Sequence, residues 1–303
     1  MSNTEKVAFA YIDESGEKGL VRNLAQADDG KFGLMTALLF PSEIHDKALQ
    51  LFTPGFEAFQ NASPKKAKLH FTDAYIPGNE SWAKVAENVR DEFIGLILQL
   101  KPMILYGARR LALSRIAHEQ GLEMKSKVRT SSRSNVRIPG ADRDSDDRIE
   151  DELILSLSLR LDAFGELVED NGEPILIDLL FDKTDESVAK RYKNIVESTR
   201  HISASTSTVS GWDTIEKRKL SRNISFSVDS PSIRVDTKYL RDIKIVGKNH
   251  PLVLAADLVA NHLNHHLGQL NQNAPLNAPS SIEDWVLAER VWGVMVNASE
   301  DVF

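Results

Sequence analysis

Val7-Ala8-Phe9-Ala10-Tyr11-Ile12-Asp13-Glu14-Ser15-Gly16 joins a short apolar run to two adjacent acids and a glycine-bearing turn. The run from Val7 to Ile12 is rich in β-branched and aromatic residues and predicts a largely buried strand. Successive strand side chains point to opposite faces, so Asp13 and Glu14 do not share one task. One can meet a metal while the other caps the turn or assists from the far side. An acid followed by Ser and Gly is also ordinary turn chemistry, so this stretch alone leaves both readings open.

A second stretch changes the balance. Pro251 opens a strongly apolar helix, Pro251-Leu252-Val253-Leu254-Ala255-Ala256-Asp257-Leu258-Val259-Ala260-Asn261-His262-Leu263, whose interior carries one lone acid. Burying a single Asp is costly unless it is paired or bound to a cation. An exposed stripe would accommodate Asp257, but Leu252 to Ala260 supplies almost no other polar residue for such a stripe. Ala255, Ala256 and Ala260 would let another element or a ligand come close.

Together the YIDESG turn and the ADLVA helix resemble the bacterial family known as domain of unknown function 3800, whose members look like RNase H-fold proteins. Lys68-Leu69-His70-Phe71-Thr72-Asp73 is similar to a family strand ending in histidine, and Ile175 to Asp182 to its central strand ending in an acid. The family usually has Gln where this chain has Ala255. The resemblance spans about Val7 to Leu267 and implies an RNase H-like mixed sheet flanked by helices, with a metal-dependent nuclease-like site. It implies no particular substrate.

Composition fits one intracellular, enzyme-sized unit covering residues 1–303, with 42% hydrophobic residues available for a core. No cysteine is present. Thiolate zinc sites, a cysteine nucleophile and disulfides are therefore excluded, and any metal must sit on oxygen or imidazole. No apolar run reaches the ~20 residues of a membrane helix, and the first residues lack a signal-peptide core, so a cytoplasmic location is expected. A formal charge of −7 argues against a general nucleic-acid coat but allows a local basic groove.

Strand and helix patterns alternate without an internal repeat, which predicts an α/β architecture. Strands are expected at Phe32 to Phe40, about Leu69 to Thr72, Met103 to Ala108 and Ile175 to Phe181. Helices are expected at Ile44 to Phe59, Ser81 to Leu100, Ile149 to Val168 and Ser187 to Ser198. Ser203 to Ser210 reads as a Ser/Thr-rich link and Gly268 to Ser281 as a polar connector.

Lys125 to Arg148 has no apolar periodicity and reads as a flexible charged insertion. Arg129, Arg133 and Arg137 precede a crowd of aspartates. The segment suits either a solvated, self-neutralising loop or an arm that grips phosphates. Lys65, Lys66, Lys68, Arg109 and Arg110 could extend the same basic surface.

Phosphodiester cleavage by two divalent cations needs carboxylates that bridge ions roughly 3.5–4 Å apart. In an RNase H-like fold such acids meet from the ends of Asp13's strand, Asp182's strand and the late helix bearing Asp257. These three are the expected ligands for Mg²⁺ or Mn²⁺, with Glu14 assisting. Asp178 rivals Asp182, because residues four apart on a strand share a face, but Asp182 stands at the strand exit. Lys248 either touches the scissile phosphate or is a solvated turn lysine. His262, His265 and His266 offer imidazoles at helical spacing, suited to zinc or manganese, or to the dipole of the helix end.

The expectation is a divalent-metal-dependent nuclease acting on RNA or DNA. The alternatives are a nucleic-acid-binding module without turnover and a phosphohydrolase for a small phosphate ester or nucleotide.

Overall fold

The computed structural model describes residues 6–17, 19–20, 31–64, 68–131, 136–137, 148–170, 174–182, 186–201, 204–227, 236–247, 249–271, 282 and 284–292. In chain order its elements are β1 (Lys6–Gly16), β2 (Phe32–Pro41), α1 (Ser42–Ala62), α2 (Phe71–Ala74), α3 (Glu80–Leu100), β3 (Met103–Arg110), α4 (Leu111–Ser131), β4 (Val136–Arg137), α5 (Ile149–Asp170), β5 (Ile175–Phe181), α6 (Glu186–Thr199), β6 (Ala204–Asp213), β7 (Arg218–Ser227), β8 (Leu240–Ile245) and α7 (Pro251–Asn271). No described helix is long and apolar enough to cross a membrane.

Five strands form one mixed sheet in the order β3-β2-β1-β5-β8. β1, β2 and β3 pair antiparallel, whereas β5 runs parallel to both β1 and β8. This sheet, flanked by helices, agrees with an RNase H-like α/β fold.

Side-chain alternation on β1 builds a core on each side of the sheet. Tyr11 joins Leu38, Phe40 and Leu180 beneath α1, α3 and α7. Ala8, Ala10 and Ile12 join Ile177, Leu179 and Phe181 beneath α5 and α6. Ala255, Ala256 and Ala260 of α7 are fully buried, and their small side chains let this helix lie close on β1.

Several expectations need correction. Leu69 to Thr72 is not a strand: residues 68–70 are irregular, and Phe71 opens the short helix α2. Lys125 to Ser131 completes α4, since Lys125, Lys127 and Arg129 are good helix formers, and Val136–Arg137 pairs with β6. Ser203 to Ser210 is not a link, since residues from Ala204 onward form β6 of a second sheet, ordered β4-β6-β7. The helix α7 runs on through Asn271, beyond the expected start of the polar connector.

Asp178 lies on the buried strand β5 but serves the fold. Its fully buried carboxylate accepts from Arg241 Nε at 2.7 Å, Arg241 Nη2 at 2.6 Å and Lys244 Nζ at 2.7 Å, all from neighbouring β8. Burial opposes its ionisation, but these bonds outweigh burial and hold its carboxyl below the usual range. The stabilisation is therefore present above the ordinary carboxylate range and is lost as pH falls through the folded-state value.

Breaking a fully buried ion pair costs about 3–5 kcal/mol. Arg241 and Lys244 keep 38% and 47% of their side chains exposed and can return to water. Asp178→Ala is thus expected to cost about 2 kcal/mol in denaturant unfolding, while leaving any response to divalent cations intact. Loss of that response in a stably folded variant would place Asp178 in the functional site.

Candidate metal centre

Parallel pairing of β1 with β5 sets Ile12 opposite Phe181. The next residues, Asp13 and Asp182, consequently emerge at the same level of adjacent strands. Asp257 reaches them from α7, and Glu14 follows Asp13 on the opposite face of β1. All four carboxylates are buried, with relative exposures of 2% for Asp13, 8% for Glu14, 4% for Asp182 and 4% for Asp257.

These acids form two donor groups that share Asp13, and the second sets Glu14 beside it, against the expectation that opposite strand faces keep the two acids to separate tasks. Ligand-capable atoms of Asp13, His70 and Asp257 lie within 4.8 Å of one another, as do those of Asp13, Glu14 and Asp182. Asp257 is held from several directions. Its Oδ2 accepts the Phe71 backbone N–H at 2.8 Å, and its Oδ1 accepts Asn261 Nδ2 at 2.8 Å. His70 Nδ1 lies 3.2 Å from the same Oδ1. Ser15 donates to Asn261 Oδ1 at 2.9 Å, tying the β1 turn to α7. The interior position of Asp257 on an apolar helix thus reflects a packed polar network.

Electrostatics favour a cation here. Burial raises the Asp13 pKa well above the usual carboxylate range, and the nearby charges of Asp257, Glu14 and Asp182 raise it further. Its Oδ2 is buried without a hydrogen-bond partner among the described residues. A set of carboxylate oxygens with one imidazole could hold a divalent ion, which would supply the missing partner and offset the repulsion. Glu14 also borders Tyr192, whose phenol donates to Glu150. Burial first, and then the charges of Glu14 and Glu150, push the Tyr192 pKa upward.

The structure brings Asp13, Glu14, Asp182 and Asp257 together and adds His70, which stands in the irregular segment before α2 and not at a strand end. The local signal for His70 was its likeness to a strand ending in histidine, whereas the bond from Phe71 N–H to Asp257 that brings it to the site spans the fold and is invisible locally. His262, His265 and His266 enter neither donor group among the described residues. His262 Nδ1 instead accepts Trp285 Nε1–H at 2.9 Å, and burial lowers its pKa. His265 Nε2 pairs with Gln269 Nε2 at 2.8 Å.

The expected basic surface changes as well. Arg109 pairs with Glu152 at 3.0 Å and Arg110 is buried, so neither extends a phosphate groove, while Lys68 is exposed. Lys65, Lys66, Arg133 and Lys248 lie outside the described residues, as do the side chains of Arg129 and Arg137.

No family model matches the chain, and no curated protein or solved structure matches it.

A raised folded-state pKa makes Asp13 cost stability as pH rises from the ordinary carboxylate range through its own value. A bound cation should remove that cost. At one fixed concentration, about one hundred times the Kd at neutral pH, Mg²⁺ or Mn²⁺ is expected to raise Tm by roughly 5 °C, and by more at pH 8 than at pH 5.5 because protons compete with the cation for Asp13. Asp13→Asn should be more stable than the cation-free parent at neutral pH and should lose the cation response. Equal Tm gains at both pH values, retained in Asp13→Asn, would show that cations bind elsewhere.

Proposed function

We propose that this chain is a divalent-cation-dependent nuclease that hydrolyses nucleic-acid phosphodiester bonds, and that it belongs with the domain of unknown function 3800 family it resembles. The sharing of Asp13 between two donor groups, one wholly buried and one opening to solvent at His70, carries the reading. Hydrolysis of a phosphodiester needs a deprotonated attacking water and relief of the negative charge that grows on the leaving oxygen, and a carboxylate shared by two cation sites would suit both needs. Mg²⁺ or Mn²⁺, when bound, would supply water activation and charge neutralisation.

The remaining roles belong to the chain itself. Asp257, fixed by Phe71 N–H and Asn261, keeps a carboxylate oxygen within 4.8 Å of Asp13's ligand atom. Asp182 and Glu14 complete the second group from the β5 exit and the opposite face of β1. His70, with 24% of its side chain exposed, is the least buried donor of the two groups and marks the side from which a substrate could approach.

His70 also supports a second reading. An imidazole among carboxylates suits a phosphohydrolase acting on a small phosphate ester or nucleotide. A panel of single- and double-stranded RNA and DNA, assayed beside p-nitrophenyl phosphate and nucleoside monophosphates, separates the two.

Cleavage of a polynucleotide with Mg²⁺ or Mn²⁺ is expected, with complete loss in EDTA. Asp257→Asn and Asp182→Asn should each lower turnover by at least ~100-fold. Turnover that survives exhaustive chelation would overturn the mechanism. Hydrolysis confined to small monoesters, or strict dependence on Zn²⁺, would favour the second reading.

A further inference from the structure

The second sheet lies outside the carboxylate site, and its exposed face is built unlike a protein-packing surface. Thr206 pairs with Ser225, Thr208 with Asn223 and Ser210 with Ser221 in the β6–β7 register. Residues two apart on a strand share a face, so these pairs form one polar row. The Thr and Ser hydroxyls meet across the strands, with Thr206 Oγ1 and Ser225 Oγ 3.0 Å apart and Thr208 Oγ1 donating to Asn223 Oδ1 at 2.8 Å. The row ends at Trp212, which is 46% exposed.

Trp212 stands opposite Lys219 on β7, and Arg137 of β4 takes the register position on its other side. A cation position, an aromatic ring and a second cation position therefore follow one another across the strands. Asp213 Oδ1 accepts the N–H groups of Ile215 and Glu216, fixing the turn that presents exposed Lys217. Lys217, Arg218, Lys219 and Arg222 against Asp213 and Glu216 give the hairpin a net charge of +2, within a chain of −7.

We infer that the β4–β6–β7 sheet binds single-stranded nucleic acid, with one base stacked on Trp212 and the flanking phosphates met by Lys217 and Lys219. The inference rests on the nuclease reading for its substrate class and adds where the strand is held and in what form. A polar row offers a nucleic-acid backbone hydrogen bonds but gives a second copy of the chain little apolar area to bury. The positive hairpin complements phosphate charge on an otherwise acidic protein. Stacking on an exposed indole requires a base whose face is free, which a duplex does not present.

Fluorescence anisotropy with labelled single-stranded RNA, single-stranded DNA and duplex oligomers tests this on the full chain. Measurements in EDTA keep cleavage out of the readout. Preferential binding of single strands is expected, and the RNA and DNA arms identify which polymer is held. Trp212→Ala should weaken binding about tenfold and Trp212→Phe should retain most of it. Each of Lys217→Ala and Lys219→Ala should reduce the slope of log affinity against log salt by roughly 0.7. Unchanged affinity in Trp212→Ala, tighter binding of duplex, or a concentration-dependent dimer abolished by Trp212→Ala would overturn the inference, even with an active nuclease. Single-strand binding that depends on Trp212, without cleavage when cations are restored, would support the platform and refute the nuclease.

Discussion

Four buried carboxylates, Asp13 at their centre, crowd one site, and the rest of the site is organised by the repulsion among them. The parallel register of β1 and β5 creates the crowding: Ile12 faces Phe181, β5 then ends, and β1 continues beside β2. Asp13 and Asp182 thereby flank the same gap, and the close approach of α7 through its alanines brings Asp257 onto it. Such an assembly is unfavourable on its own because each charge loses water and gains a like-charged neighbour. The polar groups that hold Asp257 secure its orientation but leave the negative charge in place. A cation both neutralises that charge and gives Asp13 Oδ2 a partner.

Asp178 and Asp182 show how neighbouring acids on one strand acquire opposite roles. Both occupy the same face of β5, but Asp178 sits where β8 supplies two cations, whereas Asp182 follows the last residue of the strand and meets other acids. Two fixed cations lower the pKa of Asp178 despite burial, while the group around Asp13 has the reverse balance. Position within the ladder distinguishes a structural carboxylate from a ligand candidate.

Much of the sheet was legible because its signals are local. The apolar runs of β1, β2 and β5 mark buried strands, and the lone Asp257 on an apolar helix marks a constrained acid. The strand-end rule also separates Asp182 from Asp178. His70 was harder to place, since its neighbour Phe71 is oriented by a bond to a helix far along the chain. The β6–β7 hairpin was missed because its Ser and Thr residues mimic a linker. Alternating Thr206 and Thr208 were the available sign of a strand, as β-branched residues suit a pleated surface even when it faces water. Edge strand β8 escaped notice because Arg241, Asp242 and Lys244 mask any apolar alternation. The charged segment from Lys125 lacks an apolar stripe, yet its helix-forming residues allow α4 to continue.

The central claim concerns where a cation sits, and anomalous diffraction from crystals soaked in Mn²⁺ addresses it most directly. The account predicts anomalous density in coordination contact with Asp13, shared with His70 and Asp257 on one side or with Glu14 and Asp182 on the other, and absent from crystals of Asp13→Asn. Saturating Mn²⁺ that leaves no density at Asp13, or that concentrates at His262, His265 and His266, would contradict it.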